Sequence, residues 1–356
     1  MLDERRQEPL RRISAKMLTT LQGIAIHGEG MKKIALCNTV VLVAAIFMWP
    51  IFQPEAGAAE VKSPVKAPVA FVSASAAFLP LFVAYETGIF RRYQLDVTLQ
   101  YLAALIATHA LMAGDINFVV GGADGIAASR SNPGSIVYVA NYLPYHVFSL
   151  YSRPEIRSVR ELRGKIVGVT TPGAATDPAA RLALERNTLT PDKDVKIVYL
   201  QSVPAILSAL KAGTIAAGIL SAPTTLQAQQ LGFKELVDIG ALKIPALHGG
   251  IYTMKKFADQ EPLLVVHFLQ VMAEGVQQTL QDPASAKKAL AVWTKNKDAT
   301  ILDESYRYFA PQFTTEMRVH ENQIATMLPF IPESKTLNPS MLIDNQYWEK
   351  AKSQGK

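Results

Sequence analysis

Cysteine is nearly missing from this chain: Cys37 is the only one in 356 residues. It opens an apolar run at residues 32–50, ahead of any processing site and not after the run, where a lipid-bearing cysteine would stand. A chain processed after that run has no thiol, which excludes disulfides and thiolate chemistry. Basic clusters interleaved with aromatics are also lacking, so no nucleic-acid partner is expected. The net charge is +6; seven of the basic and five of the acidic residues lie before residue 60, leaving +4 beyond it. That excess decides no partner at this size. There is no internal repeat and no low-complexity segment. With 49% hydrophobic and 19% charged residues, the chain builds one large or two medium domains with sizeable cores.

Catalytic signatures are equally scarce. Gly168-Val-Thr-Thr-Pro-Gly173 has the spacing of a phosphate loop, but Ala174-Ala175 stand where a lysine and a hydroxyl residue would be needed. Gly121-Gly122 runs into Ala123-Asp124-Gly125, which is not a dinucleotide fingerprint. The six histidines (His27, His109, His146, His248, His267, His320) show no metal-ligand spacing. His267 falls in an apolar helix and reads as core. His146 and His248 fall near places where the chain would pass between lobes, and so are candidates to line a cleft. Ser73, Ser75 and Ser221 stand at strand ends without a nucleophile elbow or a visible base. No catalytic residue, metal or cofactor is expected.

What is present is an alternation of short apolar strands and helical segments. Lys32-Lys33, the apolar run and Ala56-Gly57-Ala58-Ala59 have the order of an export signal, preceded by Met31. Residues 31–59 therefore read as a signal peptide for export, with an uncleaved membrane anchor as the alternative. Residues 1–30 read as an N-terminal extension and residues 60–68 as a Pro/Lys linker. Strands are expected at 69–75, 95–102 and 116–122, with helices over 78–85 and 105–112 between them. The pattern restarts with strands at 135–143, 146–152 and 163–170, then a helix over 178–187 with Asp177 as its cap. A strand at 195–201, a helix over 204–212 and strands at 215–221, 233–240 and 249–254 follow. From Pro262 the chain turns helical, with a last helix over 318–330. Each repetition implies an α/β lobe built on a parallel sheet with helices on both faces.

In open α/β sheets, ligands bind beyond the carboxyl ends of the strands. That rule selects Ser75–Phe78, Gly121–Asp124, Thr170–Thr176 and Ser221–Pro223. These stretches are small, hydroxyl-bearing and nearly uncharged; they suit backbone and hydroxyl hydrogen bonding better than acid–base work. The candidate ligand-binding residues are Ser75, Ala77, Phe78, Gly122, Ala123, Asp124, Tyr142, Thr171, Gly173, Ala174, Thr176, Ser221 and Pro223. Asp124 is also a helix-cap candidate.

Five blocks resemble one family, the periplasmic solute-binding proteins of ABC importers for nitrate, taurine, aliphatic sulfonates and thiamine-pyrimidine precursors. They are PLFVAYETGIFRRYQLDVTL (80–99), LMAGDINFVVGG (111–122), RPEIRSVRELRGKIVGVTTPGAAT (153–176), VPAILSALKAGTIAAGILSAP (203–223) and the helix 262–275. The resemblance implies a type II periplasmic-binding-protein fold: two βαβ lobes joined by two crossover strands, near Ser149–Arg153 and Gly250–Met254, with the ligand cleft between them. Lobe 1 would comprise 69–151 and 252–356, the latter with the C-terminal helices, and lobe 2 residues 152–251. It further implies a monomeric, non-enzymatic binding component that delivers a sulfonate, a nitrate-like anion or a pyrimidine-type heterocycle to ABC permease subunits in the membrane. The chain departs from the sulfonate-binding pattern: Gly173-Ala174 replaces Gly-Ser, Asp177 lies close by, and Ala216 and Asn117 stand where acidic residues are common. The lost hydroxyl and the added carboxylate both weaken an anion site, although Thr171 or Thr176 could substitute, so a neutral or zwitterionic heterocycle or an amine-bearing solute is an equal expectation. The alternatives are an enzyme of the same fold, related to thiamine-pyrimidine or menaquinone synthesis, and a periplasmic sensor module.

Overall fold

Short βαβ units that end on the same edge dominate the chain, and two interruptions of that rhythm set the architecture. A computed structural model describes residues 63–331 and 337–355; the segments read as an extension (1–30) and an export signal (31–59) lie outside them. The first part runs β1 (Val65–Lys66), β2 (Val69–Phe71), α1 (Leu79–Glu86), α2 (Ile89–Arg92), β3 (Leu95–Asp96), β4 (Leu99–Tyr101), α3 (Ala104–Ala113), β5 (Phe118–Gly121), α4 (Asp124–Ala128) and β6 (Ile136–Asn141). The second runs β7 (Ser149–Ser152), β8 (Ile166–Val169), α5 (Thr176–Glu185), β9 (Lys196–Tyr199), α6 (Val203–Lys211), β10 (Ala217–Leu220), α7 (Thr224–Gln230) and β11 (Lys234–Asp238). The chain then returns as β12 (Gly250–Met254), α8 (Lys255–Gln260), α9 (Pro262–Gln281), α10 (Pro283–Thr294), α11 (Ala299–Phe309), α12 (Glu321–Ala325) and α13 (Gln346–Gln354).

Two five-stranded sheets result, ordered β4-β2-β5-β12-β6 and β9-β8-β10-β7-β11. With β12 and β7 set aside, the remaining strands of each sheet follow one order, second-first-third-fourth in chain sequence, and β12 or β7 sits between the third and the fourth. Neither sheet is wholly parallel, contrary to the expectation from the βαβ rhythm: β12 runs antiparallel to β5 and β6, and β7 antiparallel to β10 and β11. The reason is connectivity. A crossover helix returns the chain to the start of the next parallel strand, but no α-helix lies between β6 and β7 or between β11 and β12. Each is entered from the other lobe at the edge where β6 or β11 ends, so it must run the opposite way. The crossings occupy residues 142–148 and 239–249, just ahead of the strands the sequence points to. They are tied together by His146 N–H to Ile244 O at 3.1 Å and Ala246 N–H to Pro144 O at 2.9 Å.

Both faces of each sheet are covered, which explains the unbroken apolar strands. Val69, Phe71, Phe118 and Val120 face one core with α1 and α9, while Ala70 and Val119 face another with Ile126, Tyr138 and Tyr252. Phe118 and Phe268 stack with centroids 4.1 Å apart, and Phe82 stacks on Trp293 at 5.2 Å. In the other lobe Ala217 and Ile219 face α5, and Leu220 faces α6. His267 is half-buried beside Tyr93 on the surface of α9, not in the core.

Three local expectations are corrected. The strand at 95–102 splits into β3 and β4, and β3 pairs with β1, inside the segment read as a linker. The last helix covers only Glu321–Ala325. Ahead of it the chain is extended, with the Met317 carbonyl accepting from Asn141 N–H and Val319 N–H donating to the Asn345 side chain. Asp177 is not the cap of α5, which starts at Thr176 with Ala175 before it. Among the described residues no helix is long and apolar enough to cross a membrane.

The tightest helix contact yields a stability prediction. A Cβ built on Gly275 of α9 would stand 2.5 Å from the Pro80 carbonyl oxygen of α1. Alanine there gains about 1 kcal/mol of helix propensity but forces backbone apart, and overpacking of this kind costs about 1–3 kcal/mol. Gly275→Ala is therefore expected to lower the urea midpoint at unchanged slope; a raised midpoint contradicts this packing.

Candidate functional site

The carboxyl edges of the two sheets face each other across a cavity of about 230 Å³. Lobe 1 contributes the residues after β2 (Val72, Ser73, Ala74, Ser75, Phe78), at and beyond the end of β4 (Tyr101, Ala104) and after β5 (Gly122, Asp124). Lobe 2 contributes those after β8 (Thr170, Thr171, Ala174, Ala175, Thr176), after β9 (Gln201, Ser202, Val203, Pro204) and after β10 (Ser221). Phe148 and His248 complete the wall. They precede β7 and β12, whose reversed direction puts their starting ends on this edge. The lobes touch around the cavity. Ala76 N–H donates to Ala222 O at 3.3 Å, and a Cβ on Gly122 would come within 2.9 Å of the Ala175 Cβ.

Of the residues selected from sequence, Ser75, Phe78, Gly122, Asp124, Thr171, Ala174, Thr176 and Ser221 line this cavity. Ala77, Ala123, Tyr142, Gly173 and Pro223 do not. Ala77 and Ala123 point into the cores. Tyr142 is fully buried and its hydroxyl donates to the Ala77 carbonyl at 3.1 Å, which fixes the turn after β2 from behind. Pro223 is buried just before α7. The sequence reading missed the turn after β9, Tyr101 and Phe148. The strand-end rule applied to the 195–201 strand would have found Gln201, but Phe148 required knowing the direction of β7.

The turn after β8 is closed by its own side chains. Gly173 has φ of +73°, a conformation that glycine adopts without strain. Its N–H donates to Asp177 Oδ2 at 2.9 Å. Asp177 Oδ1 accepts from Arg181 Nε at 2.7 Å, and Arg181 Nη1 donates to Asp192 at 2.8 Å. Thr170 N–H donates to Thr176 Oγ1 at 2.9 Å, and the two threonine hydroxyls lie 2.6 Å apart. Burial raises the pKa of Asp177, while the Gly173 amide and the Arg181 charge pull it back. Gly168, first of the phosphate-loop spacing, is a strand residue whose missing Cβ makes room for Ile215 and Leu200.

Among the described residues no lysine or arginine lines the cavity, and Asp124 is its one acidic residue. Asp124 is 8% exposed and forms no ion pair among the described residues. Burial pushes its carboxyl up to about 6, against hydrogen bonds from its own and the Gly122 backbone. It opens α4, with Ala123 in the cap position. The His248 ring packs on Phe148 at 4.5 Å, and the His146 ring lies 6.3 Å from the same phenylalanine. The Nδ1 atoms of both histidines are buried without a hydrogen-bond partner. Burial lowers His146 to about 4; burial and then the proximity of His146 lower His248 to about 3. Among the described residues no cluster of three metal-ligating side chains occurs.

These shifts have a sign that can be checked. Both histidines bind protons more weakly folded than unfolded, so their contribution is complete above pH 6.5 and is lost as pH falls toward 4. Asp124 acts the other way: below about pH 6 the folded form holds its proton more tightly. Each proton is worth about 1.4 kcal/mol per pH unit. Between pH 7.5 and 5.5 the native chain should lose about 1–3 kcal/mol that a His146→Leu, His248→Leu variant retains. Urea unfolding at both pH values measures it, and equal losses would refute the buried neutral pair.

Known proteins place this architecture. No curated protein sequence matches the chain. Solved structures match at low identity over nearly their whole length. A Bordetella bronchiseptica protein is 18% identical, with 82% of this chain and 98% of that one covered at a TM-score of 0.71. The alkanesulfonate-binding protein SsuA of Xanthomonas axonopodis pv. citri, bound to MOPS, is 16% identical over 79% and 99% at 0.66. The periplasmic nitrate-binding protein NrtA of Synechocystis PCC 6803 is 16% identical over 82% and 89% at 0.68. The fold is thus the two-lobed one of periplasmic binding proteins, and the NMT1/THI5-like family model matches residues 75–286. This chain, with its paired sheets and interlobar cavity, belongs to the NMT1/THI5-like family.

Proposed function

We propose that this protein is the periplasmic solute-binding component of an ABC importer, which captures a small solute between its lobes and delivers it to membrane permease subunits. The observation that carries this reading is the cavity itself. It is shared by both lobes, and its polar lining consists mainly of hydroxyls, amides and backbone at strand ends. A solute that touches both lobes favours their contact and thereby links occupancy to shape. Ser75, Phe78, Gly122, Asp124, Thr171, Ala174, Thr176 and Ser221 are the contacts we assign to it. Residues 69–151 with 252–356 form the first lobe in this scheme, residues 152–251 the second, and residues 31–59 direct export to the periplasm. The protein acts as a monomer.

The enzyme alternative would have to rest on Asp124 and His248. Among the described residues neither is hydrogen-bonded to a serine or threonine hydroxyl, so the nucleophile–base arrangement of acyl-transfer sites is missing. Binding without turnover is the reading that the lining supports.

A solute present at 100 times its Kd should stabilise the purified protein by about 2.7 kcal/mol. Ala74 lines the cavity but is itself exposed, so Ala74→Trp should block the cleft and abolish that thermal shift while leaving the unliganded Tm in place. Conversion of the solute by the purified protein, or a shift that survives Ala74→Trp, would count against this function.

A further inference from the structure

Three features of the cavity bear on the charge of its occupant. Asp124 brings a carboxylate that forms no ion pair among the described residues, and no described lysine or arginine lines the cavity around it. Opposite charge is the usual companion of a buried carboxylate, because leaving one unpaired is costly. In the second lobe's turn the Gly173 N–H is bonded to Asp177, so it gives an occupant of the cavity no donor. Gly173 itself lies off the cavity wall. Finally, His248 is 6% exposed, lines the cavity and leaves Nδ1 without a partner. Phe78, Tyr101 and Phe148 supply aromatic surface around these two polar groups.

We propose that the solute is a small organic base, an amine or amidine carrying a positive charge on a compact apolar body, whose N–H groups bond to Asp124 and which excludes anions from the same cavity. This rests on the solute-binding reading and specifies the chemistry of its ligand. The pairing is charge-assisted, the stronger class of hydrogen bond. The His248 ring lines the cavity from the crossing segment, with its Nδ1 buried. Buried and held uncharged, that imidazole brings no positive charge to repel the base. A cavity of about 150 Å³ takes a benzene-sized guest, so about 230 Å³ admits a ring bearing an amidine. Alkanesulfonate and nitrate, which name two of the structural neighbours, would meet a carboxylate here and no cation.

The test is calorimetric titration and thermal shift of the purified protein with benzamidine and n-butylammonium against methanesulfonate and nitrate. The cations are expected to bind and the anions to give no heat at millimolar concentration. Asp124→Asn should weaken the cations roughly tenfold or more without lowering the unliganded Tm, since it removes an unpaired buried charge. If that variant misfolds, Asp124→Ser serves the same comparison, and the wild-type selectivity stands independently of either. Anion binding blocked by Ala74→Trp would overturn the charge assignment and leave solute binding intact. Failure of both cations while an uncharged solute binds would do the same. Failure of every solute tried would overturn both.

Discussion

The carboxylate of Asp177 fixes the shape of the turn that borders the cleft, by accepting from the Gly173 N–H and from Arg181. A helix start that follows a strand presents backbone donors and the positive end of a dipole, which together attract anions. Here the attraction is satisfied from within: the Gly173 N–H, the Asp177 carboxylate and the Arg181 guanidinium form one buried chain of hydrogen bonds. The turn is held in shape by charge that belongs to the protein. The groups left facing the cavity on this side are threonine hydroxyls and small side chains, two of those hydroxyls already bonded to each other.

A second constraint comes from the path of the chain. Every parallel strand ends at the cleft edge, so a chain that leaves one lobe there must enter the other lobe there and run backwards through its sheet. The two reversed strands, β7 and β12, are therefore a consequence of having two crossings, and they sit inside the sheets. They also bring their own beginnings to the cleft. This is how Phe148 and His248, residues of connecting segments, come to face the turns after β2 and β8. The paired crossings, bonded to each other on both sides of Tyr145 and Pro245, hold His146 and His248 against the same phenylalanine.

Burial then acts on whatever polar groups this path delivers. It drives the two imidazoles to their neutral form and raises the carboxyl of Asp124. These displacements have one origin, the cost of charge away from water. The cavity is consequently nearly free of positive charge even though the chain as a whole is basic. Net charge and local charge are set by different things, one by composition and the other by which side chains the turns expose.

The sequence by itself determined the alternation of strand and helix, the division into two α/β repetitions and the edge where the small hydroxyl-bearing turns gather. Each of these follows from short-range spacing: apolar runs, glycine stops and turn residues at strand ends. Ser75, Asp124, Thr171 and Ser221 could be selected on that basis, because a residue just after a strand lies at the sheet edge whichever way its neighbours run. The tertiary structure alone decided the reversed strands, the pairing of β3 with a segment that reads as linker, and which side of each turn faces the cavity. Tyr142 and Ala77 show the last point: both adjoin the right edge, yet one turns inward to brace the other. Direction and register are properties of pairing between distant segments, and a turn exposes one face only after both of its neighbours are in place.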